Sequence, residues 1–281
     1  MSIVVTGATG QLGRLVVESL LTRGVPAEQI VATGRDLARL DDLAARGVVV
    51  RRADFDDRAS LDAAFAGADR VLLVSGPAVG SRVPQHLNVI DAAKAAGVAL
   101  LAYTSITNAD RGGFLIAAEH KATEEAIVAS GLPHTFLRNG WYLENYTGQL
   151  PVYLEHGVIG SAGDGRVSPA TRADLAEATA AALLLDRPAS IYELGGEAFS
   201  LKELAATVGD LAGKDVVYTD LPAEDFAKAL VGAGLPDAFA GVLAEADVAL
   251  SRGELYADPA DLAGLLGRPA TTLAEALRAA L

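Results

Sequence analysis

The sequence predicts an α/β fold: a doubly wound parallel sheet with a smaller, mainly helical C-terminal lobe for substrate. Three observations predict it. Short β-branched runs alternate with longer helix-compatible segments through the first half of the chain. Each run is nearly all apolar rather than alternating, as expected of strands covered by helices on both faces. The first run leads directly into the glycine-rich stretch Gly7-Ala8-Thr9-Gly10-Gln11-Leu12-Gly13, which opens a helical pattern.

Taken in chain order, residues 3–6, 30–34, 48–52, 70–74, 98–104 and 135–138 read as strands. Residues 11–23, 37–45, 59–65, 84–96 and 115–130 carry apolar positions at helical spacing, and most end at a glycine. Gly24, Gly47, Gly67, Gly97 and Gly131 are therefore expected at helix C-termini. Beyond residue 140 the periodicities are less regular. A helix is expected at 171–186, a late strand returning to the sheet at 191–194 and a helix at 201–212. A short strand at 216–218 and helices near 223–231, 237–249 and 272–280 follow. The expected division is a nucleotide-binding part at 1–140, to which a segment near 165–196 returns, and a smaller lobe at 141–281.

A formal net charge of −13 disfavours contact with phosphate backbones or anionic lipid, so no nucleic-acid or membrane partner is expected. No apolar stretch approaches the roughly 20 residues of a membrane span. Ser2 passes at once into the strand-like Ile3-Val4-Val5, without a leader pattern, and the expected location is the cytoplasm. With no cysteine there are no disulfides, thiolate nucleophiles or sulfur-ligated metals. His86, His134 and His156 are scattered without metal-ligand spacing, so no metal is expected and these histidines read as structural.

The glycine stretch carries the chemistry. Gly7 permits the tight turn, Gly10 lets backbone approach a pyrophosphate, and Gly13 lets helix pack on strand. Free N–H groups at the helix N-terminus then attract the anion, which makes the sheet Rossmann-like and the ligand a dinucleotide. At the tip of the second strand stand Gly34-Arg35-Asp36. Arg35 favours a 2′-phosphate and hence NADP(H), Asp36 suits an N-cap, and NAD(H) stays open as a second donor. Asp54 either meets the adenine edge or is a solvated turn carboxylate. Ser75 and Gly76 either flank the cofactor at the carboxyl end of the fourth strand or form a plain turn.

Further residues carry a family resemblance: Ala102-Tyr103-Thr104-Ser105, Glu119-His120, Arg138-Asn139-Gly140-Trp141-Tyr142 with Tyr146, and Thr171-Arg172-Ala173-Asp174, beside the 7–13 stretch. Together they resemble the NmrA-like atypical short-chain dehydrogenase/reductases, and in particular the bacterial type 2 NAD(P)H:quinone oxidoreductases. The resemblance implies NADPH-dependent two-electron reduction of a quinone, without flavin or metal. Carried over by position, it implies that Gly7, Ala8, Thr9, Gly10, Gln11 and Leu12 hold the pyrophosphate and Arg35 the 2′-phosphate. Ser75 and Gly76 would flank the cofactor; Arg138, Asn139, Gly140, Trp141 and Tyr142 would wall the nicotinamide and substrate pocket; Arg172 would close over the ligand.

One departure from the wider dehydrogenase pattern matters. Those enzymes follow the fifth-strand serine, here Ser105, with Tyr-x-x-x-Lys. In this chain the lysine position falls on His120 or Lys121 and the tyrosine position on Ile116 or Ala117, depending on gap placement. Carbonyl reduction loses its proton donor, whereas a quinone does not need one as strong. Asn139, Tyr142 or His120 are the candidate donors, although His120 also suits a helix surface. Trp141, Tyr142 and Tyr146 are candidate walls for the quinone ring, or plain packing. Arg172 either contacts ligand or forms an ion pair beside the cap at Thr171. Two rival functions remain at this level: a non-catalytic NADP(H)-sensing regulator, and a reductase of plant-like aromatic substrates. A homodimer is compatible with the sequence.

Overall fold

In a computed structural model, which describes residues 1–281, the first half alternates strand and helix without interruption. Strand β1 (Ile3–Val5) leads to α1 (Gln11–Thr22), β2 (Ile30–Gly34), α2 (Asp41–Ala45), β3 (Val49–Arg52), α3 (Arg58–Phe65) and β4 (Arg70–Leu73). The second series runs α4 (Arg82–Ala96), β5 (Leu100–Ile106), α5 (Leu115–Ser130) and β6 (His134–Asn139). Gly97 and Gly131 are left-handed C-caps of α4 and α5, and Gly24, Gly47 and Gly67 also take positive φ just past their helices.

Two local departures have physical causes. The helix expected at 37–45 begins as a 3-10 turn, Leu37–Leu40, because the Asp36 carboxylate accepts the N–H of Ala38 only two residues on. Helix α4 begins ahead of Pro84, since proline in a first turn forfeits only an N–H that has no helical partner.

The remaining chain adds α6 (Glu144–Thr147), α7 (Leu150–His156), β7 (Val158–Gly160), β8 (Arg166–Val167), α8 (Arg172–Leu184) and β9 (Ile191–Leu194). It continues with β10 (Phe199–Ser200), α9 (Leu201–Ala212), β11 (Tyr218–Asp220), α10 (Ala223–Gly232), α11 (Asp237–Ser251), α12 (Ala260–Leu266) and α13 (Leu273–Ala280). The short strand expected at 216–218 lies two residues later, where Tyr218 pairs with Val158 and Asp220 with Gly160.

Seven parallel strands form the main sheet in the order β3-β2-β1-β4-β5-β6-β9. The late strand β9 returns to it beside β6, in register Phe136 to Ile191 and Asn139 to Leu194. The order reverses between β1 and β4, and ligands bind in the crevice at the carboxyl ends of such strands. One face of the sheet packs through Ile3, Val5 and Ala32 on Val16 and Leu20 of α1 and on Leu175 and Leu183 of α8. The other packs through Val71, Leu73, Leu101 and Tyr103 on α3 and α4. A separate core gathers Ile106, Phe114, Leu143, Tyr146, Phe199, Leu204 and Leu250. No helix is long and apolar enough to cross a membrane.

Candidate functional site

The turn after β1 is built by backbone alone. Gly7 takes φ +62°, and its carbonyl accepts the N–H of Gly10 at 2.9 Å. A Cβ on Gly13 would stand 2.5 Å from the Gly7 oxygen, so any side chain there would push α1 off the strand. Ala8 donates its N–H to the Thr33 carbonyl at 2.8 Å, which ties the turn to β2. Gly10 is the N-cap of α1 and offers no side chain, so the first-turn N–H groups at Gln11, Leu12 and Gly13 are left for a ligand. Thr9 lies against Gly34, where a Cβ would collide with its side chain. Backbone donors, a helix dipole and the absence of side chains make an anion cradle.

Arg35 is exposed at the tip of β2, and Asp36 spends its carboxylate on Ala38 as the cap expected of it. Arg14, which the sequence did not single out, reaches from α1 to this tip. It donates to the Arg39 carbonyl at 3.0 Å and pairs with Asp42, holding that carboxyl below the usual range. Asp54 accepts the N–H of Asp56 at 3.2 Å and lies 3.7 Å from Arg52, the arrangement of a turn carboxylate. Ser75 donates its N–H to Thr104 Oγ1 at 2.9 Å, which seats the end of β4 against β5 beside the crevice.

At the carboxyl end of β6 the side chains divide by face. Arg138 turns its guanidinium toward α5, where Glu124 accepts from it at 2.9 and 2.7 Å. Glu193 on β9 and Asp110 accept further bonds at 3.0 and 2.8 Å. Burial opposes this charge, but the carboxylates outweigh it and raise the Arg138 pKa further. The guanidinium is thus committed to a buried brace, not free to wall a pocket. Asn139 is the next residue, so it faces the opposite side of the sheet. Its side chain is 4% exposed, and neither Oδ1 nor Nδ2 makes a hydrogen bond of good geometry. Ser105 Oγ, on the neighbouring strand, is likewise buried without a partner.

Gly140 donates its N–H to the Leu194 carbonyl at 2.9 Å, and a Cβ there would collide with the Ser168 carbonyl. The chain then brings Tyr142 under Arg172, whose guanidinium carbon lies 4.4 Å from the ring centroid. Burial raises the Tyr142 pKa, opposed by the Arg172 charge and by the nearby Asn139 amide. Arg172 opens α8, with its N–H donated to Glu144 Oε1 at 2.8 Å and its Nη1 3.6 Å from Glu144 Oε2. The expected cap is present: Thr171 Oγ1 accepts the N–H of Asp174 at 3.0 Å. Asn139, Tyr142 and Arg172 thus form one polar group beside half-buried Trp141.

Two aromatic or imidazole candidates lie elsewhere. Tyr146 is 8% exposed, packs edge-on against Phe199 with centroids 5.4 Å apart, and belongs to the second core. His120 is not a surface residue: it is buried and hydrogen-bonds Tyr103 at 2.7 Å through Nδ1. Burial, and then the charge of Arg82, hold its pKa well below the ordinary value, so the ring is neutral. A cavity of about 640 Å³ opens beyond β9 between Asn108, Glu193, Tyr256 and Asp261. None of the residues expected at the site lines it.

Residues 1–258 match the NmrA-like family. Quinone oxidoreductase 2 of Escherichia coli (strain K12) is 50% identical over 278 residues, spanning 98% of this chain and 97% of that protein. The crystal structure of the NADPH-dependent quinone oxidoreductase from Escherichia coli complexed with NADPH matches with a TM-score of 0.96 at 48% identity, covering 99% of both chains. The Citrobacter sp. triphenylmethane reductase complexed with NADP(H) matches with a TM-score of 0.94 at 39% identity, covering 100% of both chains. The chain belongs to the NmrA-like family.

Proposed function

We propose that this protein reduces quinones by two electrons with NADPH as donor, by direct hydride transfer and without flavin. The observation that carries the reading is the buried amide of Asn139, which lacks a hydrogen bond of good geometry and lies near Tyr142 under Arg172, at the carboxyl edge of the sheet that also carries the Gly7–Gly13 cradle. A buried amide without partners is costly, which is expected of a group that awaits a ligand. The naming of an Escherichia coli relative at 50% identity as a quinone oxidoreductase supports the substrate class. The NADPH complex at 48% identity supports the cofactor.

The residues fit the cofactor. The α1 N-terminus and the bare glycine backbone would hold its diphosphate, and Arg35, exposed at the tip of β2, would pair with its 2′-phosphate. Bound nicotinamide supplies the hydride. A quinone that accepts it becomes a phenolate-type anion with a pKa of about 10, by analogy with tyrosine, far less basic than an alkoxide. The anion needs a hydrogen-bond donor rather than a strong acid, which suits a chain with no tyrosine on α5. Asn139 Nδ2 donates to the oxygen that gains charge. Tyr142, kept protonated by burial, donates a second hydrogen bond, and Arg172 adds positive potential over its ring. Solvent completes protonation, and Trp141 offers a flat apolar wall.

NADPH oxidation by flavin-free protein with benzoquinone or menadione tests the reading. Turnover is expected; tight NADPH binding without turnover would instead mark a sensor. Tyr142→Ala is expected to raise the quinone KM or lower kcat, and unchanged kinetics would remove Tyr142 from the site.

A further inference from the structure

After β4 the chain leaves the sheet, and residues 74–80 are tied at both ends by side chains from other elements, beside the backbone bonds from Val79 to Pro77 and from Ser81 to Ala78. Val74 donates its N–H to Thr6 Oγ1 at 3.0 Å and Ser75 to Thr104 Oγ1 at 2.9 Å. Gly76 donates to His86 Nε2 at 3.1 Å, its carbonyl accepts from Arg82 Nε at 2.8 Å, and Gly80 donates to Glu119 Oε1 at 2.7 Å. Arg82 Nη1 lies 3.6 Å from Glu119 Oε2. Both side chains are more than nine-tenths buried, and these two atoms have no other partner.

The bonds dictate the state of His86. A backbone N–H can only donate, so Nε2 must accept and the ring proton resides on Nδ1. That proton is given to Thr123 Oγ1 at 3.1 Å, and the Thr123 hydroxyl donates to the Glu119 carbonyl at 2.9 Å. Burial first, then the charge of Arg82, lowers the His86 pKa to about 3, so the ring keeps this form at working pH. Helices α4 and α5 are thereby wired to both ends of one segment. A buried Arg–Glu pair adds little net stability, but it defines a single geometry.

We propose that Arg82, His86 and Glu119 are positioning residues that hold segment 75–80 in the shape required by bound NADPH. The inference rests on the reading that Ser75 and Gly76 flank the cofactor.

Three proteins test it: wild type, His86→Leu, which removes the acceptor, and His86→Gln, whose Oε1 can replace Nε2. The His86→Leu change is expected to raise the NADPH Kd and KM about tenfold, the scale of one buried hydrogen bond, with kcat at saturation within about twofold. His86→Gln should restore Kd to within about threefold of wild type. An unchanged Kd in His86→Leu overturns the proposal, as does an equal rise in both variants, which is what loss of packing alone would give. If His86→Leu does not fold, Thr123→Val loosens the same ring at constant shape and must raise the NADPH Kd; an unchanged value again overturns it. Amide exchange of residues 75–80 in wild type, with and without NADPH, separates the two levels. No protection by NADPH defeats the reading that this segment flanks the cofactor. Protection in wild type together with wild-type affinity in His86→Leu defeats the positioning role alone.

Discussion

Asn139 concentrates the functional argument because its buried side chain has no hydrogen bond of good geometry within the fold. Its amide is buried with both polar atoms unpartnered, a condition that costs about 1–3 kcal/mol. Asn139→Leu keeps the branching of the side chain, in a somewhat larger volume, and removes that cost. We therefore expect the variant to unfold at equal or higher urea concentration than wild type, while kcat for a quinone falls at least about tenfold, as when an anion-stabilising donor is deleted. A clear loss of stability would mean that the amide has a structural partner in solution, and full activity would take it out of the reaction. Arg138, one residue earlier, has the opposite character. Every hydrogen bond of its guanidinium goes to a carboxylate of the protein itself, so it is a brace adjacent to the site.

Between elements, that brace joins β6 to α5 and β9, and its loss should be felt in folding. Arg138→Met leaves Glu124 buried without a counter-charge, for which about 3–5 kcal/mol is the expected cost. Urea unfolding measures it, and adding Glu124→Leu should recover most of the loss. A cost below about 1 kcal/mol would show that the pair bears no strain between the elements. Helix α11 carries a second such group. Asp247 is partly buried against β7, where its Oδ2 accepts the Ser161 N–H at 2.9 Å. Burial, aided by the charge of Asp220, lifts its pKa to about 6. The folded pKa exceeds the unfolded one, so this group stabilises the fold at pH 4 and the contribution disappears as pH rises through 6. Between pH 4 and pH 7 it changes stability by on the order of 2 kcal/mol. Asp247→Asn keeps an acceptor for Ser161 and should flatten that part of the stability profile; identical slopes would locate the titration elsewhere. The same scale explains what was legible. The βαβ alternation, the glycines at helix ends and the return of residues 191–194 are written in local periodicity, and so is the 7–13 cradle, whose function lies in backbone spacing. The commitments of Arg138 depend on partners 14 and 55 residues away, and the core position of Tyr146 depends on Phe199. Helix α12 was not legible either. Its seven residues are too short for a strong period, and packing on α8 and β9 sustains it.

The whole molecule is expected to respond to cofactor because the proposed site is distributed across it. In the proposed site the cradle belongs to β1 and α1, the 2′-phosphate position to β2, the flanking segment to β4, and the polar group to β6 and α8. A ligand that touches all of them binds the native state and no part of the unfolded chain, so occupancy should appear as global stability. At about 100 times Kd the gain is roughly 2.7 kcal/mol. For a chain of this size each kcal/mol moves Tm by about 2–4 °C, so saturating NADPH should raise Tm by roughly 5–10 °C in one cooperative transition. NADH at the same concentration should give a smaller shift, since Arg35 at the β2 tip then has no phosphate to pair with. Arg35→Ala should bring the NADPH shift down toward the NADH value and leave the ligand-free Tm unchanged, because the residue is exposed. Equal shifts for the two nucleotides in wild type would show that Arg35 does not discriminate between them. The net charge of −13 sharpens the comparison. A strongly acidic protein repels the extra phosphate at long range while Arg35 attracts it at the β2 tip, so added salt should weaken long-range repulsion and local attraction together. The attraction at Arg35 should therefore make the NADPH preference shrink as salt rises in wild type, whereas in Arg35→Ala, where the repulsion remains without that attraction, added salt should favour NADPH.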